Sequence, residues 1–545
     1  MNHKKWLEIW KFREAKDVKQ WHKTFMLFMV ISGFLSIIRF GDWWFRSAHI
    51  DFLPLFIVLS FIVWYGILRM AFIWVNYLRI SKPKHIDAAP GLKVAIFTTS
   101  SPGEPLSMFD KTLEACARIE YPHTTYLLDD TQDPAFKSVA EKHGAVWLEL
   151  VGLPGAKAGK VNKAIELTNE EFILIMDPDH IPFPNFLDEV LGHFKEREIG
   201  FVQVAQAYYN QYRSFTALGA AEQTYTFYGP TLMGMYGYGT SVAIGANCTF
   251  RRTALESIGG HGIGLAEDLI TSIRLHAKGW KSVFVPSVVS RGLVPEDFGS
   301  FSKQQLKWAR GVHEVLFAEL PVLWKQLTNW QRISYFLIGT YYLVGATSFV
   351  YFIIPYLYFW TDLLPAKMYF AEFLIHITPI GIIAVAIYLF AQKWLSDKPM
   401  EYGIHLRGMV LKFANWPIYF MGFLLSLINA EIPYIPTAKK ADTGHFTPFA
   451  RPLLIQLVIF VLTVIYVIYK RKYLVPESEL ALTTEITWGM LGFASIAIIL
   501  VIAGIYAAWQ SKNMTQEEPW VKVNLDDIVV EKRVKVAEKS AKLKN

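Results

Sequence analysis

Apolar and polar positions fall into two textures along the chain. Long apolar runs occupy residues 24–41, 52–76, 333–360, 372–392, 451–469 and 486–509, each close to the ~20 residues that a helix needs to cross a ~30 Å hydrocarbon layer. Two of these runs precede a polar middle and four follow it. Between Lys93 and Leu320 the pattern shortens to strand-like and helical stretches in turn: Val94–Thr98, a helix near Met108–Ile119, Thr125–Leu128, a helix near Ala135–His143, Val146–Leu150, Lys160–Thr168 and Phe172–Met176. Alternation at this spacing predicts a doubly wound, mostly parallel α/β domain over about 91–320. It is inserted into an α-helical transmembrane bundle of two helices plus four.

Charge suggests how the runs are oriented. The first follows a basic leader, residues 1–23, with Lys4, Lys5, Lys11, Arg13, Lys16, Lys19 and Lys23; with no small-residue cleavage site at its end, it is expected to remain as an anchor. Arg79, Lys82, Lys84 and Lys93 follow the second run, which places the middle domain and a basic tail, 510–545, on the cytoplasmic side. Lys470-Arg471-Lys472 breaks this rule, because six spans put it outside. The stretch 404–430, with Arg407, Lys412, Asn415 and Pro417, reads as an amphipathic helix in the interface. A seventh span is the alternative; it would remove the Lys470–Lys472 anomaly but carry the tail outside. Arg69 lies well inside the second run, where it must snorkel or face the bundle.

Composition narrows the class further. With 53% hydrophobic and 19% charged residues and a mean hydropathy of +0.26, the chain is too apolar to be a string of soluble domains. The net charge of +7 fits basic loops beside an anionic leaflet and does not require nucleic acid. Two cysteines, Cys116 and Cys248, are too few for a disulfide scaffold or a thiolate zinc cluster and are expected as buried filler. The 18 tryptophans suit interfacial belts or sugar platforms equally.

Ligands of a doubly wound sheet gather at the carboxyl ends of its strands, and acidic residues stand at two such ends: Asp129-Asp130, and Asp177-Pro178-Asp179. A D-x-D pair there offers hard oxygen ligands to Mg²⁺ or Mn²⁺, although the same spacing also serves a solvated turn or a helix cap. Just upstream, Lys157-Ala158-Gly159 pairs a phosphate-seeking cation with a glycine that permits close backbone approach. Glu267-Asp268 opens a helix, Leu269–Lys278, where acidic groups could complement the helix dipole or supply a general base. Gln304, Lys307, Trp308 and Arg310 combine amide, cation and indole on one predicted helix, which is either a sugar platform or an amphipathic surface helix.

Taken in order, Asp129-Asp130, Lys157-Ala158-Gly159, Asp177-x-Asp179-His180, Ala266-Glu267-Asp268 and Gln304-x-x-Lys307-Trp308 resemble the D-D, K-A-G, D-x-D-H, T/E-E-D and Q-x-x-R-W motifs of the family-2 processive glycosyltransferases, the cellulose, hyaluronan and chitin synthases. The likeness spans nearly the whole chain. It extends to Thr98 and Glu104 in a first nucleotide-contacting loop, to Gln203, to Gly245 and Asn247 in an acceptor-side segment, and to Thr437 and Lys439 in a loop, 432–442, similar to the F-x-V-T-x-K gating loop of cellulose synthases. Three positions depart from the pattern. Lys307 replaces the family arginine, so a bidentate diphosphate contact is lost or passes to Arg310; Ala266 replaces the usual first residue of T-E-D; and Tyr434-Ile435-Pro436 alters the front of the gating loop. Residues 511–545 are too few for a C-terminal PilZ domain, so control by cyclic di-GMP is not expected, and no W-G-T-R or W-G-T-K segment follows Trp308.

The resemblance implies a GT-A domain that polymerises a β-glucan from UDP-glucose at the cytoplasmic face of a bacterial inner membrane. Asp129 and Asp130 with Thr98 and Glu104 would hold the nucleoside side, Lys157 and Asp177 the phosphates, Asp177 and Asp179 the metal, with Lys307, Arg310, Thr437 and Lys439 around the leaving diphosphate. Asp268, beside Glu267, would be the base, while Gln304, Trp308, Gly245 and Asn247 would meet the acceptor. Nascent polysaccharide would leave through the later helices, past some of Tyr335, Tyr341, Tyr342, Tyr351, Tyr356, Tyr358 and Trp360, and on to an export partner. Three alternatives remain at this stage: a polymer containing GlcNAc or mixed sugars, transfer of one sugar to a lipid carrier, and a transporter that only binds a nucleotide.

Overall fold

The structure is a computed structural model that describes residues 3–368, 370–430, 432, 439–444, 446–474 and 480–530, with backbone alone over 480–485. Its polar middle folds around a seven-stranded sheet: β1 (Val94–Thr99), β2 (Thr124–Asp129), β3 (Val146–Glu149), β4 (Phe172–Ile175), β5 (Ile199–Val204), β6 (Cys248–Arg251) and β7 (Lys281–Val285). The spatial order is β3-β2-β1-β4-β6-β5-β7, parallel except for β6, which runs antiparallel to both neighbours. Every residue of β1 and of β4 is buried, the mark of central strands covered on both faces. The strands read from the sequence as 94–98, 125–128, 146–150 and 172–176 are found within about one residue of those limits.

Four helices position the site: α1 (Ala156–Leu167), α2 (Phe215–Tyr225), α3 (Glu267–Ala277) and α4 (Phe298–Glu314). The sequence pattern starts α1 at Lys160, but Gly155 turns the chain at φ +87° and begins the helix one turn earlier. That brings Lys157 into the first turn.

Six helices are long and apolar enough to cross a membrane: Gln20–Trp44, Leu53–Leu78, Asn329–Thr361, Phe370–Trp394, Pro448–Tyr473 and Ile486–Lys512. The first two pack closely at Gly33, where any Cβ would lie 2.4 Å from the Trp74 ring. The third is interrupted near Thr340, and Arg69 of the second span caps the interruption, donating to the Leu337 carbonyl at 2.7 Å and to Thr340 Oγ1 at 2.8 Å. Arg69 therefore faces the bundle rather than snorkelling. Placing its cation on carbonyls freed at a helix break satisfies donor and acceptors together.

The stretch read as 404–430 forms two helices, Leu406–Ala414 and Trp416–Leu427, bent by 50° at Asn415. At ~1.5 Å per residue neither half reaches across a ~30 Å layer. Both of its ends are tied to the polar domain. Before it, Asp397 pairs with the buried Arg291 and, at 3.1 Å, with Arg13; after it, Asn429 and Ala430 accept from Arg310 at 3.0 and 3.1 Å. Taken as one span, the bent pair would raise the number of candidate membrane spans among the described residues from six to seven. Along its length the first half packs on α2 and the second on α4 with almost no side chain between them. A Cβ on Gly408 would stand 2.8 Å from Glu222 Cβ, and one on Gly422 would stand 2.8 Å from Ala309 Cβ.

Lys470-Arg471-Lys472 closes the helix Pro448–Tyr473. There Lys470 holds both oxygens of Asp362 at 2.7 Å, and Lys367 pairs with Asp51 at 2.7 Å, so part of the basic charge at this end is neutralised. The termini are the other departure from expectation. Leader residues Ile9 and Trp10 are fully buried beside Ile181, Phe183 and Tyr209, joined by Val523 and Leu525 from beyond the last span. Residues 513–530, expected as part of a free basic tail, instead strap the domain, and carry Glu517, Glu518, Asp526 and Asp527 against Lys522 alone. Gly408→Val should overpack the α2 junction and destabilise the protein by about 1–3 kcal/mol, seen as a lower apparent Tm in detergent, whereas the same change at Gly381, where a Cβ meets nothing within 4 Å, should leave it in place.

Candidate active site

The carboxyl ends of β1, β2 and β4 open on one edge of the sheet, and the acidic motifs meet there. After β4, Asp177 is bound by Lys157 of α1 at 2.5 Å and Asp179 by Lys439 at 2.7 Å. Burial alone would raise both carboxyl groups; the lysine fields reverse this and hold each below the ordinary carboxylate range. Lys439 in turn is held charged, since Asp179, Glu104 and Asp177 outweigh its desolvation. His180 turns Nδ1 to Asp179 Oδ1 at 2.9 Å, and its Nε2 is buried with no hydrogen-bond partner.

Asp177, Asp179 and His180 can present ligand atoms within 4.8 Å of one another. Two hard carboxylates with an imidazole beside them fit a divalent cation such as Mg²⁺ or Mn²⁺.

Asp129 and Asp130 divide sharply. Asp129 is buried; its Oδ1 accepts from Ser100 and from the Thr131 amide and hydroxyl, and its Oδ2 from the Trp147 indole; those donors overcome burial and keep it ionised below its usual value. Asp130 is partly exposed and pairs with Lys160 at 3.2 Å. Lys160, almost fully buried, also donates to the Ser100 carbonyl and to Ser101 Oγ. The sequence reading passed over Lys160; its position one turn beyond Lys157, on the same face of α1, was the available signal. Thr98, next to last in β1, has its hydroxyl buried and unpartnered, and Glu104 accepts from the Ser101 amide at 2.9 Å. Burial raises the Glu104 carboxyl despite the nearby Lys439.

At the start of α3, Asp268 accepts from the Gly245 and Leu269 amides. Its carboxyl is raised by burial in spite of those bonds, and Glu267 is pushed up to about 7 by burial and by Asp268. Lys157 lies within electrostatic reach of both, as well as of Asp177. Lys307 of α4 is half-buried within electrostatic reach of Glu267, Lys439, Asp177 and Lys157, and desolvation lowers its affinity for a proton. One crevice thus joins the D-x-D, K-A-G, E-D and Q-x-x-K-W stretches. Gly245 and Asn247 both take left-handed backbone, at φ +65° and +67°, and Gln203 fixes that segment by donating to Ala246 and accepting from Ile244. Asn247 is fully buried, with both amide atoms unpartnered.

Trp308 is 39% exposed on α4, as a stacking platform requires. The Arg310 guanidinium engages Asn429, Ala430 and, at 3.8 Å, Glu314, which ties α4 to the end of the bent pair. Thr437 lies outside the described residues. Of the bundle aromatics, Tyr335 bonds His276 at 2.7 Å, Tyr358 bonds Thr487 and Trp360 bonds Thr463, both at 3.2 Å; these three join protein to protein. Tyr342 bonds Gln305, and Lys412 sits 4.1 Å above the Tyr341 ring.

Residues 172–371 match the family described as glycosyl transferase family group 2. The chain is 30% identical over 316 residues to the cellulose synthase catalytic subunit [UDP-forming] of Komagataeibacter sucrofermentans, an alignment covering 56% of this chain and 40% of that protein. It is 26% identical over 462 residues to cellulose synthase 2 of Novacetimonas hansenii, covering 81% of this chain and 27% of the relative. The chain thus spans well under half the length of these relatives. Among solved structures it is similar to a mannosyltransferase from Pyrobaculum calidifontis in complex with GDP-Man and Mn²⁺, with a TM-score of 0.44, 16% identity and coverage of 69% of this chain and 99% of that one.

Two outcomes are expected of the site. Asp179→Asn should weaken Mn²⁺ binding, followed by the electron paramagnetic resonance of the free ion, by about tenfold or more. Because the Glu267 carboxyl is raised from 4.5 to about 7, the folded state binds more protons than the unfolded one between those values, so stability falls as pH rises through that window. Glu267→Gln should flatten that part of a Tm-against-pH curve.

Proposed function

We propose that the chain, a family-2 glycosyltransferase of the cellulose synthase-like kind, is a membrane-embedded, processive, inverting enzyme that extends a β-glucan from UDP-glucose at the cytoplasmic face of a bacterial inner membrane. The observation that carries this reading is the placement of Lys157 between two acidic centres, paired with Asp177 on one side and within reach of Asp268 on the other. A donor diphosphate and an attacking hydroxyl need that separation of roles.

On this reading Asp130, Thr98 and Glu104 receive the nucleoside, with Asp129 shaping their loop, while Lys157, Lys307 and Lys439 face the diphosphate. A divalent cation held by Asp177 and Asp179 would offset charge on the leaving group. Asp268, with the raised affinity that a base working near neutrality requires, takes the proton of the acceptor hydroxyl. The oxygen so freed forms a bond to the anomeric carbon as the bond to the diphosphate breaks, and UDP leaves with the electron pair. In-line attack turns an α-linked donor into a β-linked product. Trp308 and Gln304 hold the chain end between additions, with Gly245 and Asn247 beside the base. The polymer then passes into the bundle behind α4 and on toward an export partner.

Asp268→Asn should lower incorporation of label from UDP-[¹⁴C]glucose by about 10²–10⁴-fold while UDP binding by calorimetry persists. A nucleotide-gated transporter would be indifferent to that change. Linkage-specific glucanases should digest the wild-type product; resistance together with incorporation from UDP-GlcNAc points to another polymer, and label extracted into organic solvent points to a lipid carrier.

A further inference from the structure

The loop that delivers Glu267-Asp268 has no stiffness of its own. Residues 259–264 contain four glycines, Gly259, Gly260, Gly262 and Gly264, and three of them adopt positive φ. Such a segment has the largest backbone entropy to lose on ordering, so its shape must be imposed from outside. One restraint comes from α3 itself: the Gly262 amide donates to Thr271 Oγ1 at 2.8 Å, and Thr271 donates to the Glu267 carbonyl at 2.6 Å. The other comes from α1. Asn162 accepts from the His261 amide at 2.6 Å and donates to the His261 carbonyl at 2.9 Å. Its carboxamide reads both main-chain polar groups of a single residue. Gly260 is shaped to this clamp, since at φ +102° a Cβ there would stand 2.5 Å from Asn162 Oδ1.

Asn162 shares its helix with the two lysines of the crevice. Lys157 holds Asp177, and Lys160 holds Ser100, Ser101 and Asp130. α1 is therefore fixed to the donor side through its lysines and to the loop before the base through its asparagine. We propose that Asn162 is a positioning residue for the transfer reaction: by clamping His261 it sets the distance between the donor-side lysines and Asp268, without itself touching either sugar. The inference rests on the function proposed above for those groups. A displacement of about 1 Å between reacting partners can lower a rate by about 10²-fold, whereas donor binding, made by α1 and the strand ends, should be largely spared.

The full chain in detergent or nanodiscs, as wild type, Asn162→Ala and Asn162→Asp, separates the possibilities. Asp keeps the acceptor but turns an anion toward the His261 carbonyl. Expected are a kcat lower by about ten- to a hundredfold, a KM for UDP-glucose within about threefold of wild type, and amide hydrogen exchange over 259–266 faster by about tenfold with β4 unchanged. Gly260→Ala, which attacks the clamp from the other side, should give the same pattern, and combining it with Asn162→Ala should add little. Unchanged exchange over 259–266, a loss confined to KM, or full additivity of the two changes would overturn the proposal. The exchange measurement does not depend on the sugar. If the wild type transfers none, the functional reading fails while the clamp is still tested.

Discussion

The crevice is organised by one electrostatic constraint: seven carboxylates, Glu104, Asp129, Asp130, Asp177, Asp179, Glu267 and Asp268, converge where four lysines, Lys157, Lys160, Lys307 and Lys439, can reach them. Buried anions at this density are tolerable only if each is paired, hydrogen-bonded or protonated. All three solutions occur, and they sort the carboxylates by role. Asp177 and Asp179 are paired and firmly ionised, Asp129 is hydrogen-bonded by neutral donors, and Glu267 and Asp268 are left with a raised affinity for the proton. Pulling pKa values apart within one crevice is how acid, base and metal-ligand roles become distinct.

That sorting depends on geometry imposed from a distance. Lys307 comes from α4, which rests on Trp416–Leu427, and glycine contacts at Gly408 and Gly422 let the bent pair Leu406–Ala414 and Trp416–Leu427 approach α2 and α4 to backbone distance. The buried Arg291–Asp397 pair and the Arg310 contacts fix its two ends. A domain seated this way is tied to the helices beneath it at both ends of the pair.

Strands and membrane runs were legible in the sequence because burial on both faces and immersion in lipid each leave an unbroken apolar signature. The acidic motifs were legible for a related reason: a strand end followed by carboxylates has few structural uses. What escaped was everything decided by a distant partner. Thr131 is a local partner of Asp129, but nothing local marks the bonds that reach it from Ser100 and Trp147, 29 and 18 residues away. Lys160 reads as a surface helix residue until Ser100 and Asp130 are seen around it. The strap 513–530 is as polar as a free tail, and only Trp520, Val523 and Leu525, buried beneath it, show that it is held down. Charge counting at Lys470 misses Asp362, the partner that neutralises it, which sits 108 residues earlier.

Lysine at position 307 also becomes intelligible in this setting. A guanidinium is a planar fork that needs a matching pair of acceptors, while an ammonium is a point charge that any cluster of oxygens satisfies. Around Lys307 the neighbours include Glu267, Asp177 and two further ammonium groups, so carboxylates and cations share the surroundings of this point charge. Three residues on, the fork is present and used: Arg310 bridges Asn429, Ala430 and Glu314 at the root of the loop that carries Lys439. The ammonium at 307 therefore stands among the carboxylates, while the guanidinium at 310 ties α4 to Asn429 and Ala430 at the end of the bent pair.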